Sequence, residues 1–471
     1  MTPHGPGHSL AGLLLDHPAP PDEPLVCTID REMTAAEFRE EAEKVAADLA
    51  AAGVGPGQAV AVQLPGGPGM AAGMFGSWLA GAVFVPVNAR QPEREVAHVV
   101  EAVRPAAFLG GGGLRRLDDP ARFDADVAFV TWTSGTTGRP KPILQTHSGY
   151  REILARVLNS IRREPGGDRP SPNLVPVSLA LNAGIYNLLF GFMAGAAVVL
   201  MERFVPEDFA VLVARYGVRS TVLPPAAMAM LTDAPAVTDL APLRYVRSIT
   251  APLSPLYARR FMAKFGVTVL NGYGQAEIGE VIGWTAADAR AHPDKLGAVG
   301  LPHAGVDIKV VDEDGRPVPT GTAGQLLVRP PRMAAGYAGG ESLADRMDTE
   351  GFVRTGDYAI VDADGFVWIE GRTSDLINRG GNKVFPDQVE EVLLLVPGVR
   401  EAAVVGVPDA RLGEVPVAFV VGEASDAELA EVCREHLVPY KIPVAFQRVA
   451  SIPRSEVGKV LRRRLAESWK G

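Results

Sequence analysis

Residues 58–88 read QAVAVQLPGGPGMAAGMFGSWLAGAVFVPVN, an uncharged stretch long enough on length alone to span a bilayer. Its pattern says otherwise. Pro65-Gly66-Gly67-Pro68-Gly69 interrupts it, and the remainder divides into residues 59–64, 70–79 and 82–87, read as strand, helix and strand. Strands covered on both faces become apolar runs of this kind, as in a buried parallel sheet. Residues 171–201 resolve in the same way, because Pro172, Asn173, Pro176, Asn182 and Asn187 break them up. No membrane span is expected.

Outward from this stretch the same rhythm continues. Val/Ile/Leu-rich runs at 127–132, 196–200, 220–223, 245–250 and 267–270 alternate with segments mostly long enough for a crossover helix. Residues 35–53 form one clear helix, with Phe38, Ala42, Val45, Ala46 and Leu49 on one face and Gly53 at its end. The expectation is an α/β architecture with substantial parallel sheet. The texture changes after about residue 295. Strands at 306–312, 325–328, 358–361 and 366–370, separated by turns at Asp314-Gly315, Gly321-Thr322 and Asp364-Gly365, predict a small antiparallel or barrel-like region. A second α/β unit follows. It has helices at 386–394 and 425–436, the latter with Ser425 as N-cap, and strands at 399–407 and 415–421. The domain joint is placed at residues 371–375.

Composition narrows the function. The 471 residues carry 46 Lys and Arg against 55 Asp and Glu, a formal charge of −9 that argues against a general nucleic-acid binder. The two cysteines, Cys27 and Cys433, match no metal-ligand spacing and cannot make a disulfide framework. The first residues lack a basic region followed by a long apolar run, so no signal peptide is read and a cytoplasmic protein is expected.

Residues 130–141 read VTWTSGTTGRPK. An apolar strand runs into Thr133, Ser134, Gly135, Thr136, Thr137 and Gly138, and then to Lys141. Glycines let the backbone approach anionic oxygens, four hydroxyls donate hydrogen bonds, and the lysine adds charge, a combination suited to polyphosphate. The Walker A spacing is absent.

TSGTTGRPK resembles the signature of the adenylate-forming superfamily, which holds acyl- and aryl-CoA ligases, peptide-synthetase adenylation domains and luciferases. Further blocks recur in the family's order: NGYGQAE at 271–277, RTGD at 354–357, GRTSDLINRGGNKVFPDQVE at 371–390 and PRSEVGK at 453–459. The resemblance covers residues 10–465, nearly the whole chain. It implies a large N-terminal domain of α/β layers with a small barrel-like subdomain (1–371), a hinge (372–376) and a small mobile α+β C-terminal domain (377–471).

It also implies roles. The family converts ATP and a carboxylate to an acyl-adenylate and pyrophosphate, which supplies the leaving group that a carboxylate lacks. Lys459 would bridge phosphate and carboxylate oxygens as a compact point charge. Asp357 would accept hydrogen bonds from the ribose, and Arg372, counted with Lys459 and Glu277 as catalytic, would contact the ribose or the phosphate from the domain joint. Asn271, Gly272, Tyr273 and Gly274 would form the adenine site, the Tyr273 ring stacking on the base. Glu277 would hold Mg²⁺ on the phosphates. Rotation about the hinge, where Ser374 stands, would exchange the Lys459 loop for residues 377–383. Gly380 and Gly381 would then let a pantetheine arm pass.

Several positions depart from the family pattern. Ala276 replaces Thr or Ser, as aryl-acid-activating members tolerate. Thr250, beside Ala251, replaces a smaller residue where the acid pocket meets adenine. Gln325 replaces the usual Glu. Leu179 stands where many members carry His or an aromatic residue, which leaves Ser178 and Asn182 as candidates for substrate contact. The expected reaction is ATP- and Mg²⁺-dependent adenylation of a small aromatic acid in specialised metabolism. Transfer to CoA or to a phosphopantetheine thiol on a separate carrier protein would follow. Two alternatives stand beside it: activation of nitrite to diazotise an aryl amine, and a nucleotide-binding protein without chemistry. Neither the acid nor the oligomeric state is legible.

Overall fold

The computed structural model describes residues 9–132, 141–160, 170–249, 251–339, 342–454 and 460–469. They fall into two compact units, Met1–Val306 with Pro330–Met347, and Asp307–Arg329 with Asp348–Gly471.

The first unit holds two seven-stranded sheets. One is built on the opening stretch: Ala59–Gln63 pairs in parallel with Val83–Pro86 and with Ala107–Gly110, and Val83–Pro86 pairs in parallel with Val127–Trp132. Antiparallel strands flank this centre, with Pro142–Thr146 and then Gly336–Tyr337 on one side and Gly113–Arg116 on the other. The second sheet runs Thr268–Asn271, Tyr245–Ser248, Ser220–Val222, Asn173–Val175, Val198–Leu200 and Pro24–Cys27, all parallel, and closes on an antiparallel Glu32–Thr34.

Alternating side chains give five layers. Val60 and Val62 face one core while Ala59 and Ala61 face another. The shared central core takes the inner faces of both sheets and the helices Ala35–Ala51, Pro68–Leu79, His147–Ser160 and Asn182–Met193. Helix Glu93–Val103 covers the outside of the first sheet. Pro206–Tyr216, Pro225–Asp233 and Pro255–Phe265 cover the outside of the second. The expected helix at 35–53 is present as Ala35–Ala51, started by a capping box between Thr34 and Glu37. It lies so close to Pro68–Leu79 that a Cβ on Gly76 would stand 2.6 Å from the Val45 Cβ and 2.7 Å from the Ala42 carbonyl oxygen. Among the described residues no helix is long and apolar enough to cross a membrane.

In the second unit, Asp307–Val311, Gly324–Arg329, Val353–Val361 and Val367–Arg372 form one antiparallel sheet, as the Asp-Gly turns predicted. The C-terminal part is a second sheet. Val399–Asp409 and Gly413–Gly422 pair as a long hairpin, and the short hairpin Ile377–Arg379 and Asn382–Val384 and the strand Ala445–Arg448 both pair with Gly413–Gly422. Helices Pro386–Leu393, Asp426–His436 and Arg462–Ser468 complete it. Ser425 caps Asp426–His436 as expected, in a capping box with Glu428. Both cysteines are free and buried.

Candidate active site

Residues 133–141 join two antiparallel neighbours, Val127–Trp132 and Pro142–Thr146. Thr133, Ser134, Gly135, Thr136, Thr137 and Gly138 lie outside the described residues. Lys141 lies within them, and its ammonium is 5.7 Å from the ring centroid of Tyr337. Gly336–Tyr337 is held there by pairing with Leu144 and Ile143. The Tyr337 hydroxyl donates to Glu277 Oε1 at 3.0 Å, and Arg346 Nη1 donates to the same oxygen at 2.8 Å. Arg346 Nη2 donates to Gln275 Oε1 at 3.0 Å. Gln145 Nε2 donates to the Ala276 carbonyl at 2.7 Å, which fixes the 271–277 block to strand Pro142–Thr146. Tyr337 and Arg346 thus converge on the Glu277 carboxylate from a distant part of the sequence.

Glu277 is 7% exposed. Both of its side-chain bonds fall on Oε1, and Oε2 carries no hydrogen bond among the described residues. That oxygen suits a hard divalent cation whose other ligands come from phosphate and water. Among the described residues no group of three His, Cys, Asp or Glu could hold a metal by protein ligands alone. Burial, then the Glu277 charge, raises the Tyr337 phenol above its ordinary value. Burial works against the Arg346 cation, but the Glu277 charge outweighs it and the guanidinium is held above its ordinary value.

The adenine candidates sit on two consecutive strands. Asn271 is buried at the end of Thr268–Asn271, and its Oδ1 accepts from the Gly272 N–H at 3.1 Å. Tyr273 is half-buried, and its hydroxyl accepts from Gln275 Nε2 at 3.3 Å. A Cβ on Gly274 would stand 2.2 Å from the Gly279 carbonyl oxygen, so the close pairing of Tyr273–Gln275 with Gly279–Gly283 itself requires that glycine.

The acid candidates are less gathered. Asn182 opens helix Asn182–Met193, and its Oδ1 accepts from the Tyr150 hydroxyl at 3.0 Å. Burial pushes that phenol well above its ordinary value. Ser178 Oγ accepts from the Ala180 N–H at 3.2 Å and so serves its own turn. Leu179 is buried, Ala251 is exposed, and Thr250 lies outside the described residues.

Sequence reasoning missed a buried network beside these segments. Arg247 pairs with Glu280, whose carboxylate also meets His303 Nε2 at 3.3 Å and the Tyr186 hydroxyl at 3.1 Å. A signal was present: Arg247 and Glu280 are charges inside otherwise apolar strands, where a charge is seldom buried without a partner.

In the second unit Asp357 and Arg372 face each other in strand register, with Arg372 Nε 3.7 Å from Asp357 Oδ1. Asp357 is 6% exposed, and its N–H donates to Thr355 Oγ1 at 3.1 Å. Ser374 is exposed and donates to Asp375 Oδ1 at 2.9 Å. Gly380 and Gly381 form the two-residue turn between Arg379 and Asn382, with φ of +57° and +88°. Positive φ at both positions is what this kind of hairpin loop demands. Lys459 lies outside the described residues, but its flanks are tied together: Arg454 bridges to Val460, and the Leu461 N–H donates to the Pro453 carbonyl at 2.8 Å. Arg462 is the first of three consecutive arginines and could pass for part of an exposed basic run. It is instead buried among Asp375, Asp387 and Glu390.

Known proteins agree with this arrangement. The family described as "AMP-binding enzyme" matches residues 16–124 and 114–338, and its "AMP-binding enzyme C-terminal domain" matches residues 388–459. The sulfoacetate–CoA ligase of Cupriavidus necator is 31% identical over 94% of this chain and 94% of its own. A feruloyl-CoA synthase of Amycolatopsis is 32% identical over 91% and 92%. The ATP-bound crystal structure of MatB from Rhodopseudomonas palustris superposes with a TM-score of 0.86 at 26% identity, covering 98% of both chains. By its ordered motifs, its fold and these matches, the chain belongs to the adenylate-forming AMP-binding enzyme family and is an AMP-forming ligase of the acyl-CoA synthetase kind.

Proposed function

We propose that this enzyme activates a small aromatic carboxylic acid with ATP and passes the acyl group to the thiol of CoA or of a carrier protein. The observation that carries the reading is the convergence of Tyr337 and Arg346 on the buried carboxylate of Glu277, with the Lys141 ammonium over the Tyr337 ring. That grouping is costly to fold unless it does something, because a buried charge must be paired. The feruloyl-CoA synthase among the relatives supports an aryl acid, and Ala276 in the 271–277 block agrees with it.

In this proposal residues 133–138 and Lys141 hold the polyphosphate, and Asn271, Gly272, Tyr273 and Gly274 hold the base. Glu277 would hold Mg²⁺, whose charge would neutralise that of the phosphates. Glu277 offers it one oxygen, and Arg346 and Tyr337 fix that carboxylate from its other side. Asp357 accepts from the ribose hydroxyls, with Arg372 holding its orientation. Lys459 contacts both the phosphate and the carboxylate oxygens and stabilises the charge that builds between them. Ser178, Asn182, Thr250 and Ala251 border the acid. Residues 372–376, including Ser374, act as the hinge that brings the Gly380-Gly381 turn to the site for the thiol step.

The test is release of AMP and pyrophosphate from MgATP by the purified protein. Aryl acids, short aliphatic acids, and nitrite with and without aryl amines are offered, with CoA present or absent and Lys459→Ala as control. Acid-dependent release that is lost in the variant is expected. Release driven only by nitrite with an amine would replace the reading with the diazotising one.

A further inference from the structure

The Arg247–Glu280 network plays no part in the mechanism above, yet one residue in it ties several separate segments together. Glu280 stands on strand Gly279–Gly283, just after the 271–277 block, and is 7% exposed. Its Oε1 meets Arg247 of strand Tyr245–Ser248 and His303 Nε2, and its Oε2 accepts from the Tyr186 hydroxyl of helix Asn182–Met193. Arg156 Nη2, from helix His147–Ser160, donates to the Glu280 backbone carbonyl at 3.0 Å. Burial opposes the Glu280 charge, but Arg247 and then His303 outweigh it and hold the carboxyl below its ordinary value. Two glycines keep room for this carboxylate: a Cβ on Gly283 would stand 2.9 Å from Oε1, and one on Gly272 3.3 Å.

The segments joined here carry the acid candidates. Tyr186 lies one turn along the helix that Asn182 opens. The Tyr150 hydroxyl, on the same helix as Arg156, donates to Asn182 Oδ1 at 3.0 Å. The circuit therefore closes: the two helices meet at Asn182, and each is also bonded to Glu280. Arg247 stands three residues before Thr250, and Gly272 belongs to the adenine block. That block has ties of its own, from Gln145 to the Ala276 carbonyl and from Arg346 to Gln275. An apolar cluster could fill the same space at equal or lower cost in stability. What the ion pair adds is direction, because charge-assisted hydrogen bonds hold their partners in a set geometry.

We infer that Glu280 is a positioning residue for the acid: through Tyr186, Arg247 and Arg156 it sets where the Asn182 helix and residues 250–251 lie against the adenine block. It acts through those segments and not on the reacting atoms, by aligning the acid carboxylate with the nucleotide. This rests on the ligase reading and deepens it.

The experiment measures initial rates of AMP release with benzoate, ferulate, malonate and butyrate, varying acid and MgATP in turn. Two variants loosen the frame. Tyr186→Phe removes one hydrogen bond and keeps the ring. Arg247→Met combined with Glu280→Gln removes both buried charges together, so that neither is left unpaired. For the acid that the wild-type protein uses best, kcat/KM should fall by on the order of tenfold in Tyr186→Phe and a hundredfold in the double variant. KM for the acid should rise in both, and KM for MgATP should not. A merely structural loss would lower the active fraction, and with it kcat, while leaving both KM values in place. An unchanged KM for the acid in both variants, or an equal rise in KM for MgATP, would overturn the inference and leave the ligase reading standing. Failure of every acid to release AMP with the wild-type protein would overturn the ligase reading, and this inference with it.

Discussion

Arg462→Met is expected to destabilise the second unit by about 3 kcal/mol. The guanidinium lies 2.6 Å from Asp387 and 3.4 Å from Asp375, makes a shorter contact to Glu390, and donates to the Val404 carbonyl at 2.9 Å. Its side chain is 17% exposed and that of Glu390 is 14%. Removing one partner of a buried pair costs about 3–5 kcal/mol, because the other charge stays behind. The lower end applies here, since Asp387 is 39% exposed and partly solvated. At about 2–4 °C per kcal/mol for a unit of this size, the melting temperature should fall by roughly 6–12 °C. Thermal unfolding of the full chain reads it.

The pH dependence adds a second check. Burial raises the Glu390 carboxyl above the usual carboxylate range, against the pull of Arg462. The folded state therefore keeps this proton to higher pH than the unfolded chain does. The contribution of Glu390 is fully present at low pH and is lost as pH rises through its folded value. Without Arg462 the folded value rises further, so the deficit of the variant should be larger at pH 7.5 than at pH 5. Adding Glu390→Gln should restore part of the loss. A fall of less than about 2 °C, or the same fall at both pH values, would refute the reasoning.

Lys459→Ala should lower acid-dependent AMP release by about 10²–10³ in kcat, read by pyrophosphate production, because one electrostatic stabiliser of the transition state is lost. Glu277→Gln should shift the Mg²⁺ concentration for half-maximal activity upward by roughly tenfold or more, read by magnesium titration at fixed ATP. Gly76→Ala should cost about 1–3 kcal/mol by urea unfolding, since its Cβ would have to displace Val45 or the helix carrying it. Gly381→Ala has open space but a φ of +88°, so it should cost about 1 kcal/mol in hairpin strain. If the hairpin also admits the thiol arm, thioester formation should slow more than acyl-adenylate formation in single-turnover assays.

The fold was legible because its two sheets are buried on both faces. A strand such as Ala59–Gln63 must then be apolar throughout, and the Pro-Gly run at 65–69 marks where it hands over to helix Pro68–Leu79. The motif residues were legible because their spacing is local. Tyr337 and Arg346 were not, since they reach Glu277 from 60 and 69 residues away and no local pattern marks them. Arg462 was not legible for a related reason. In sequence it is the first of three arginines, and only the helix turn separates it, buried, from Arg463, whose side chain is 91% exposed.

The glycines of the motifs show why a matched block does not by itself assign chemistry. Gly274 is required by the strand crossing at Gly279, and Gly380 and Gly381 by a two-residue turn, whatever ligand comes near. Each would hold its place in a protein of this fold without activity. Buried charges are different. Hydrophobic side chains could fill the space of Glu277 and Arg346, or of Arg247 and Glu280, at equal or lower cost in stability. The functional reading therefore leans on the Glu277 cluster. Glu277 keeps a spare carboxylate oxygen and suits a cation on a polyphosphate.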